Sequence, residues 1–241
     1  MKKKALLLAA GLGTRLKPLT DSVPKCLVQI NGMPILERWI RALEECDFVE
    51  ILINTHHHNS MVSEFICSTN RTTKAKLIES YEKELLGTAG TLLENVEFFD
   101  GSIGILIHAD NATDIKLKNI IREHEKKPDS CLITMLTFKT DKPSECGIVE
   151  CDKDGIVKSF HEKESNPPGN IANGAVYVFG EEFITWLKHN CKSARDFSFD
   201  VLPKLIGKIY TYQTQEPYID IGTPEKLKQA HKIWKPRGRT V

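Results

Sequence analysis

The sequence has no apolar run approaching the ~20 residues that a membrane-spanning helix needs. Its most apolar early stretch, Ala5-Leu6-Leu7-Leu8-Ala9-Ala10, follows a basic Met1-Lys2-Lys3-Lys4 start but stops at Gly11, short for the apolar core of a secretory signal. A soluble, cytoplasmic protein with no membrane partner is expected. There is also no excess of one charge. Lys and Arg number 33 against 32 Asp and Glu, giving a formal net charge of +1. Nothing in that balance calls for a nucleic-acid partner, and none is expected, while a local basic site for a small phosphorylated ligand remains open. No CxxC pair occurs. The seven cysteines (Cys26, Cys46, Cys67, Cys131, Cys146, Cys151 and Cys191) are scattered and odd in number, which argues against a disulfide framework and a zinc ribbon. They suit buried small apolar side chains. Neither an internal repeat nor a low-complexity linker divides the chain.

What is present is an ordinary globular composition, 41% apolar and 27% charged over 241 residues, enough for one domain with a sizeable core. Short apolar runs at residues 4–9, 49–54, 75–80 and 103–108 predict strands. Amphipathic stretches at 34–45, 60–67, 88–95 and 115–126 predict helices between them. In the first of these, Ile35, Leu36, Trp39, Ile40 and Leu43 share one face. After about residue 130 the pattern turns strand-rich, at 131–138, 147–151, 156–160 and 175–179, with Asp152-Lys153-Asp154-Gly155 as a turn. A helix at 181–189, strands at 209–212 and 218–221 and a last helix at 224–234 follow, the last opened by Thr223-Pro224-Glu225. The basic stretch 235–239 is expected to fray. This alternation predicts an α/β fold: a Rossmann-like three-layer sandwich with a mixed, mostly parallel sheet and a small β-rich subregion. Residues 1–241 form one domain, with about residues 1–130 as a nucleotide-binding half and about 131–241 building a pocket for a second substrate.

The most informative segment is Ala9-Ala10-Gly11-Leu12-Gly13-Thr14-Arg15-Leu16-Lys17-Pro18-Leu19-Thr20, ending at Pro24-Lys25. A glycine-rich turn directly after a first strand lets backbone N–H groups approach phosphate oxygens. It is not a dinucleotide fingerprint, because Leu16 stands at the third glycine position, and it is not a Walker loop. Arg15 and Lys25 instead place two cations around the turn, which suits a triphosphate whose bridging oxygen gains charge during reaction. The alternative is a tight turn with solvated cations.

These residues, with Asn31-Gly32-Met33-Pro34-Ile35-Leu36, resemble the signature loop of the sugar-1-phosphate nucleotidylyltransferases, and the likeness runs over about residues 4–232. The resemblance implies that Ala10, Gly11, Gly13 and Thr14 wrap a nucleoside triphosphate, that Arg15 stabilises the leaving pyrophosphate and that Lys25 contacts the phosphates. Ser80-Tyr81-Glu82-Lys83-Glu84-Leu85-Leu86-Gly87-Thr88 resembles the segment that meets base and ribose, with Leu85 where proline is common. Glu82 would read the base edge, Gly87 would let the backbone approach the nucleoside, and Thr88 would join them. A carboxylate only accepts hydrogen bonds and guanine offers two adjacent donors, so Glu82 leans towards GTP. Its alternative is a solvated charge beside Lys83.

Asp110, in Ile107-His108-Ala109-Asp110, and Asp220, in Tyr218-Ile219-Asp220-Ile221-Gly222, match the family's Mg²⁺ ligands. Mg²⁺ favours one or two carboxylates together with phosphate oxygens and water. Asp220 alone could serve as a helix-entry residue, and Asp114 is expected to cap the helix after it. Phe160-His161-Glu162-Lys163-Glu164 resembles the family's Glu-Lys motif, so Glu162 would accept sugar hydroxyls and Lys163 would meet the sugar phosphate. Asn173 and the Gly174 backbone, in Ala172-Asn173-Gly174-Ala175, match its sugar-pocket strand. Without the family, Glu162-Lys163 reads as a surface pair. His56-His57-His58 reads as loop residues, since three successive rings cannot face one point. His108 is a strand-end neighbour of the site with no assigned role.

The expected reaction is in-line attack of a sugar 1-phosphate on the α-phosphorus of an NTP, with GTP and a mannose- or heptose-type phosphate preferred. Uridylyl or cytidylyl transfer, or a non-catalytic nucleotide-sugar-sensing subunit, are the alternatives. A Rossmann oxidoreductase conflicts with Leu16. The chain is expected to be a monomer or homodimer and to lack the left-handed β-helix of bifunctional members.

Overall fold

A computed structural model describes residues 1–234; the stretch 235–239 expected to fray lies outside the described residues. In chain order the elements are β1 (Lys2–Leu8), β2 (Gln29–Ile30), β3 (Met33–Pro34), α1 (Ile35–Glu44), β4 (Glu50–Thr55), α2 (Asn59–Thr69), β5 (Lys76–Tyr81), α3 (Thr88–Glu94), β6 (Ser102–His108) and β7 (Asn111–Thr113). They continue as α4 (Leu117–Glu125), β8 (Ile133–Lys139), β9 (Gly147–Cys151), β10 (Val157–Glu162), β11 (Ile171–Phe179), α5 (Glu181–Asn190), β12 (Ile209–Gln213), β13 (Tyr218–Asp220) and α6 (Pro224–Ile233).

β1 carries Ala5, Leu6 and Leu7 at 0% exposure, because both of its faces are covered. Strand alternation divides the core accordingly. Ala5, Leu7, Ile51, Ile53, Ile105 and Ile107 point to one face and pack with α1, α2, α4 and α6. Leu6, Leu52, Leu106, Tyr177 and Phe179 point to the other and pack with α3 and α5. The result is three layers, helices on both sides of a nine-stranded sheet of order β10-β9-β11-β6-β1-β4-β5, with β8 pairing β11 and β12. The pairs β6-β1, β1-β4 and β4-β5 are parallel, as is β8-β12. β11 runs antiparallel to β6, β8 and β9, so the change of direction falls where the second half joins the first. Gly104 sits at that junction, where an added Cβ would stand 2.1 Å from the Phe179 ring.

α1 forms as its periodicity predicts, with Ile35, Leu36, Trp39, Ile40 and Leu43 all buried. α6 begins with Thr223 Oγ1 accepting the Lys226 N–H and Pro224 in its first turn. The expectation for Asp114 fails. α4 starts at Leu117 with Lys116 at its N-cap position and no side-chain cap. β7 keeps residues 111–113 extended, and Thr113 Oγ1, not Asp114, takes the next amide, that of Ile115.

Inside the core, His124 of α4 is 8% exposed and its Nδ1 lies 2.9 Å from Thr134 Oγ1 of β8. Burial pulls its imidazole down to about 4, with Lys127 adding to the effect. The unfolded chain protonates this ring at an ordinary pKa of about 6.5, so below that value the unfolded state binds more protons and stability falls with pH. Urea unfolding at pH 7 and pH 4 should show His124 contributing about 3 kcal/mol of acid destabilisation. A His124→Asn variant that keeps the full wild-type pH slope would contradict this.

Candidate active site

The parallel strands end in one row. Leu8 of β1 is in register with Asn54 of β4 and with His108 of β6, and Asn54 with Ser80 of β5. Ligands of such sheets bind beyond these carboxyl ends. The glycine loop leaves from this row. Asn54 Oδ1 accepts the N–H groups of Ala9 (2.6 Å) and Ala10 (3.3 Å), which sets the loop's exit. Gly13 turns the chain in a left-handed conformation, φ 65°. A Cβ there would lie 2.8 Å from Thr20 Cγ2, while Thr20 Oγ1 donates to the Gly13 carbonyl at 2.8 Å. Leu16 is buried and pins the loop, which explains why no third glycine stands there. Gly11, Leu12 and Arg15 are exposed on its outer side.

Between them, this loop and two distant strands assemble a charged junction. Ala109 N–H bonds to the Leu8 carbonyl, so Asp110 follows β6 directly beside the loop. β7 and β13 pair antiparallel, with Asp220 opposite Asn111, and Ile221 N–H closes the ladder on the Asp110 carbonyl at 3.1 Å. The two carboxylates therefore converge. Lys25 Nζ lies 2.5 Å from Asp110 Oδ2 and 3.3 Å from Asp220 Oδ1, and Arg15 stands 3.8 Å from Asp220 Oδ2. Burial pulls the Lys25 pKa down, but the two carboxylates outweigh it and hold it above its ordinary value. Burial pushes Asp110 up, and Lys25 outweighs that to leave it below the usual carboxylate range. Lys25 is a fixed cation and Asp110 a fixed anion at neutral pH. Only about a tenth of the Lys25 side chain is exposed, against about a third of each aspartate, so the carboxylates face outward. This donor set fits Mg²⁺: two converging carboxylates with one side open to phosphate and water.

His108 sits beneath this junction. Its Nε2 is buried without a hydrogen-bond partner among the described residues, and burial lowers its pKa, keeping the ring neutral.

The segment expected to meet the nucleoside differs at Glu82. Its side chain is buried and not solvated. At 4% exposure, Oε1 accepts from Asn54 Nδ2 (2.9 Å) and Thr91 Oγ1 (2.5 Å), and Oε2 accepts the Leu86 N–H (3.0 Å). A buried carboxylate needs this many donors to be tolerated. Asn54 and Thr91, which complete the network, carried no sequence signal beyond polar residues inside apolar elements. Gly87, φ 84°, presses against the Arg195 carbonyl, and Thr88 Oγ1 accepts the Phe197 N–H at 2.7 Å. His56 Nδ1 meets the Glu82 carbonyl at 2.9 Å, and His58 takes a left-handed conformation before α2, so the histidine triplet forms a turn.

On the opposite side, Glu162 ends β10 with Lys163 Nζ 3.3 Å from its Oε1; Glu162 is largely covered and Lys163 open. Asn173 lies in a bulge of β11, its Nδ2 donating to the Tyr177 hydroxyl and its Oδ1 accepting the Ala175 N–H. The Gly174 carbonyl accepts from the Tyr218 hydroxyl, whose ring stacks on Phe138 at 4.6 Å. Tyr218 lies two residues before Asp220, so the same strand ties Asn173-Gly174 to the aspartate pair.

A glycine-rich loop and an open aspartate pair thus lie together at the carboxyl edge of the sheet. The nucleotidyl transferase family pattern matches residues 4–235, and the chain belongs to that family. Mannose-1-phosphate guanyltransferase 2 of Candida glabrata is 28% identical over 92% of this chain and 62% of its own length. Mannose-1-phosphate guanyltransferase beta-A of Xenopus laevis is 27% identical over 96% of this chain and 67% of its own. The chain thus spans about two thirds of the length of these curated relatives. Among solved structures, HddC from Yersinia pseudotuberculosis complexed with GMP-PN superposes with a TM-score of 0.79 at 27% identity, covering 96% of this chain and 99% of that one. UDP-glucose pyrophosphorylase complexed with UDP-glucose shares the fold at a TM-score of 0.81 and 20% identity, over 96% and 98%.

Gly87→Ala should be among the most damaging small changes at this site. A Cβ would stand 2.3 Å from the Arg195 carbonyl oxygen at a φ that disfavours side chains. We expect a loss of about 2 kcal/mol in urea unfolding. Gly11→Ala, with nothing within 4 Å of its Cβ position, should lose under about 1 kcal/mol. Equal stability of the two variants would contradict the packing described.

Proposed function

We propose that this chain is a sugar-1-phosphate nucleotidylyltransferase that makes an NDP-sugar and pyrophosphate, with GTP and a mannose- or heptose-type 1-phosphate as substrates. The observation that carries the reading is the Lys25 ammonium held by Asp110 and Asp220 at the mouth of the glycine loop. About residues 1–130 take the nucleotide and about 131–241 the sugar phosphate. The guanine preference rests on the named relatives and on HddC with GMP-PN, not on Glu82, whose oxygens are engaged inside the protein.

In this reading a sugar-phosphate oxygen forms a bond to the α-phosphorus. The bond to the α,β-bridging oxygen breaks, and pyrophosphate leaves with its electron pair. A phosphate monoester is largely ionised at pH 7, so no general base is needed. Catalysis is alignment and charge neutralisation. Lys25 is rigid and meets the phosphates; Arg15, on the exposed edge of the loop, meets the departing pyrophosphate. Asp110 and Asp220 would hold Mg²⁺, which when bound neutralises phosphate oxygens. The backbone of Ala10, Gly11, Gly13 and Thr14 takes the triphosphate, and Gly87-Thr88 the nucleoside. Glu162, Lys163, Asn173 and Gly174 take the sugar phosphate. Seven free thiols support a reducing, cytoplasmic setting. No helix among the described residues is long and apolar enough to cross a membrane.

A panel of four NTPs against mannose, glucose and heptose 1-phosphates, read by pyrophosphate release, tests the reaction. GTP with a manno-type phosphate should be fastest, and Lys25→Ala should lower kcat by about 10²-fold or more. Absence of pyrophosphate from every pair would contradict the reaction; preference for another nucleotide would contradict the guanine assignment.

A further inference from the structure

Asn54, Glu82 and Thr91 are buried at 4%, 4% and 1% exposure, and the reaction above uses none of their side chains. Their bonds run in two directions. Asn54 Oδ1 faces the glycine loop and accepts the Ala9 and Ala10 N–H groups. Asn54 Nδ2 faces away and donates to Glu82 Oε1. The carboxylate's other oxygen accepts the Leu86 N–H, which lies next to Gly87. Thr91 Oγ1 lies 2.5 Å from Glu82 Oε1 and 2.9 Å from the Gly87 carbonyl. Its single proton serves the shorter, charge-assisted contact. One chain of hydrogen bonds thus runs from the start of the phosphate loop to the start of the nucleoside loop. Both ends are backbone groups, and the middle is a buried carboxyl group that cannot drop a partner without leaving a polar group unsatisfied.

We propose that Asn54, Glu82 and Thr91 form a positioning relay that sets the spacing of the two nucleotide-contacting loops. The proposal rests on the nucleotide reading of the site. It separates two substrates that a general loss of packing would affect together. Disturbing the relay weakens the nucleotide and spares the sugar phosphate, whose residues lie on β10 and β11.

The test uses Thr91→Val, which keeps the shape and removes the hydroxyl, and Thr91→Ser, which keeps the hydroxyl. Affinity for a non-hydrolysable GTP analogue is measured by calorimetry, and KM for the sugar phosphate by pyrophosphate release. Thr91→Val should weaken the analogue about tenfold and leave the sugar-phosphate KM within about twofold, while Thr91→Ser stays within about twofold of wild type on both. Unchanged nucleotide affinity in Thr91→Val, or equal weakening of both substrates, would overturn the relay. If Thr91→Val does not fold, Glu82→Gln replaces it. That variant should weaken the analogue about tenfold and leave the sugar-phosphate KM within about twofold, and unchanged nucleotide affinity would overturn the relay. Wild-type protein that binds the analogue yet releases no pyrophosphate counts against the catalytic reading alone, because the relay is read by binding.

Discussion

The site depends on one ammonium. Lys25 is 8% exposed, and a buried cation without partners would be driven to lose its proton. Here Asp110, 85 residues away in the chain, and Asp220, 195 residues away, hold the charge. Asp110 is placed by β6 and the Ala109 bond to Leu8, and Asp220 by the β7-β13 ladder, which sets it opposite Asn111 and bonds Ile221 to the Asp110 backbone. Charge pairing and ladder therefore support each other. The ammonium limits repulsion between two carboxylates brought together, and the ladder supplies the geometry that makes burying the ammonium tolerable.

The same arrangement links the two halves of the molecule. The parallel strands β6-β1-β4-β5 deliver the glycine loop, Asp110 and the Asn54-Glu82 network to one edge. The antiparallel strand β11 meets β6 and carries Asn173-Gly174 to the same edge, where Tyr218 bonds to Gly174 just before Asp220. Asp220 thus sits between the glycine loop and the Asn173-Gly174 bulge, which the proposed reading assigns to the triphosphate and the sugar phosphate. A two-substrate transfer needs such a shared point, because the attacking oxygen and the α-phosphorus must meet over it.

Much of this was legible in the sequence. β1, β4 and α1 announced themselves through continuous apolar runs and a helical stripe, since burial on both faces or on one leaves a periodic trace. Lys25, Asp110 and Asp220 were identifiable by resemblance, although their mutual contact was not, because nothing in local pattern encodes a pairing 195 residues long. β7, a three-residue strand, left no periodicity to read, and the same gap misassigned Asp114 as a helix cap. The internal bonds of Glu82 were not legible for a different reason. Surface statistics and the hydrogen-bonding of a lone carboxylate both assume that its donors come from solvent or ligand. Its donors instead come from Asn54, Thr91 and the Leu86 backbone, which only the fold brings together.

The proposed reaction needs Asp110 and Asp220 to form one divalent-cation site beside Lys25. Direct titration of Mn²⁺, a paramagnetic substitute for Mg²⁺, into the protein with a non-hydrolysable GTP analogue measures it without turnover. Saturable binding is expected in the wild type, and Asp110→Asn and Asp220→Asn should each weaken it on the order of tenfold or more. Wild-type Mn²⁺ affinity in both folded variants would contradict it.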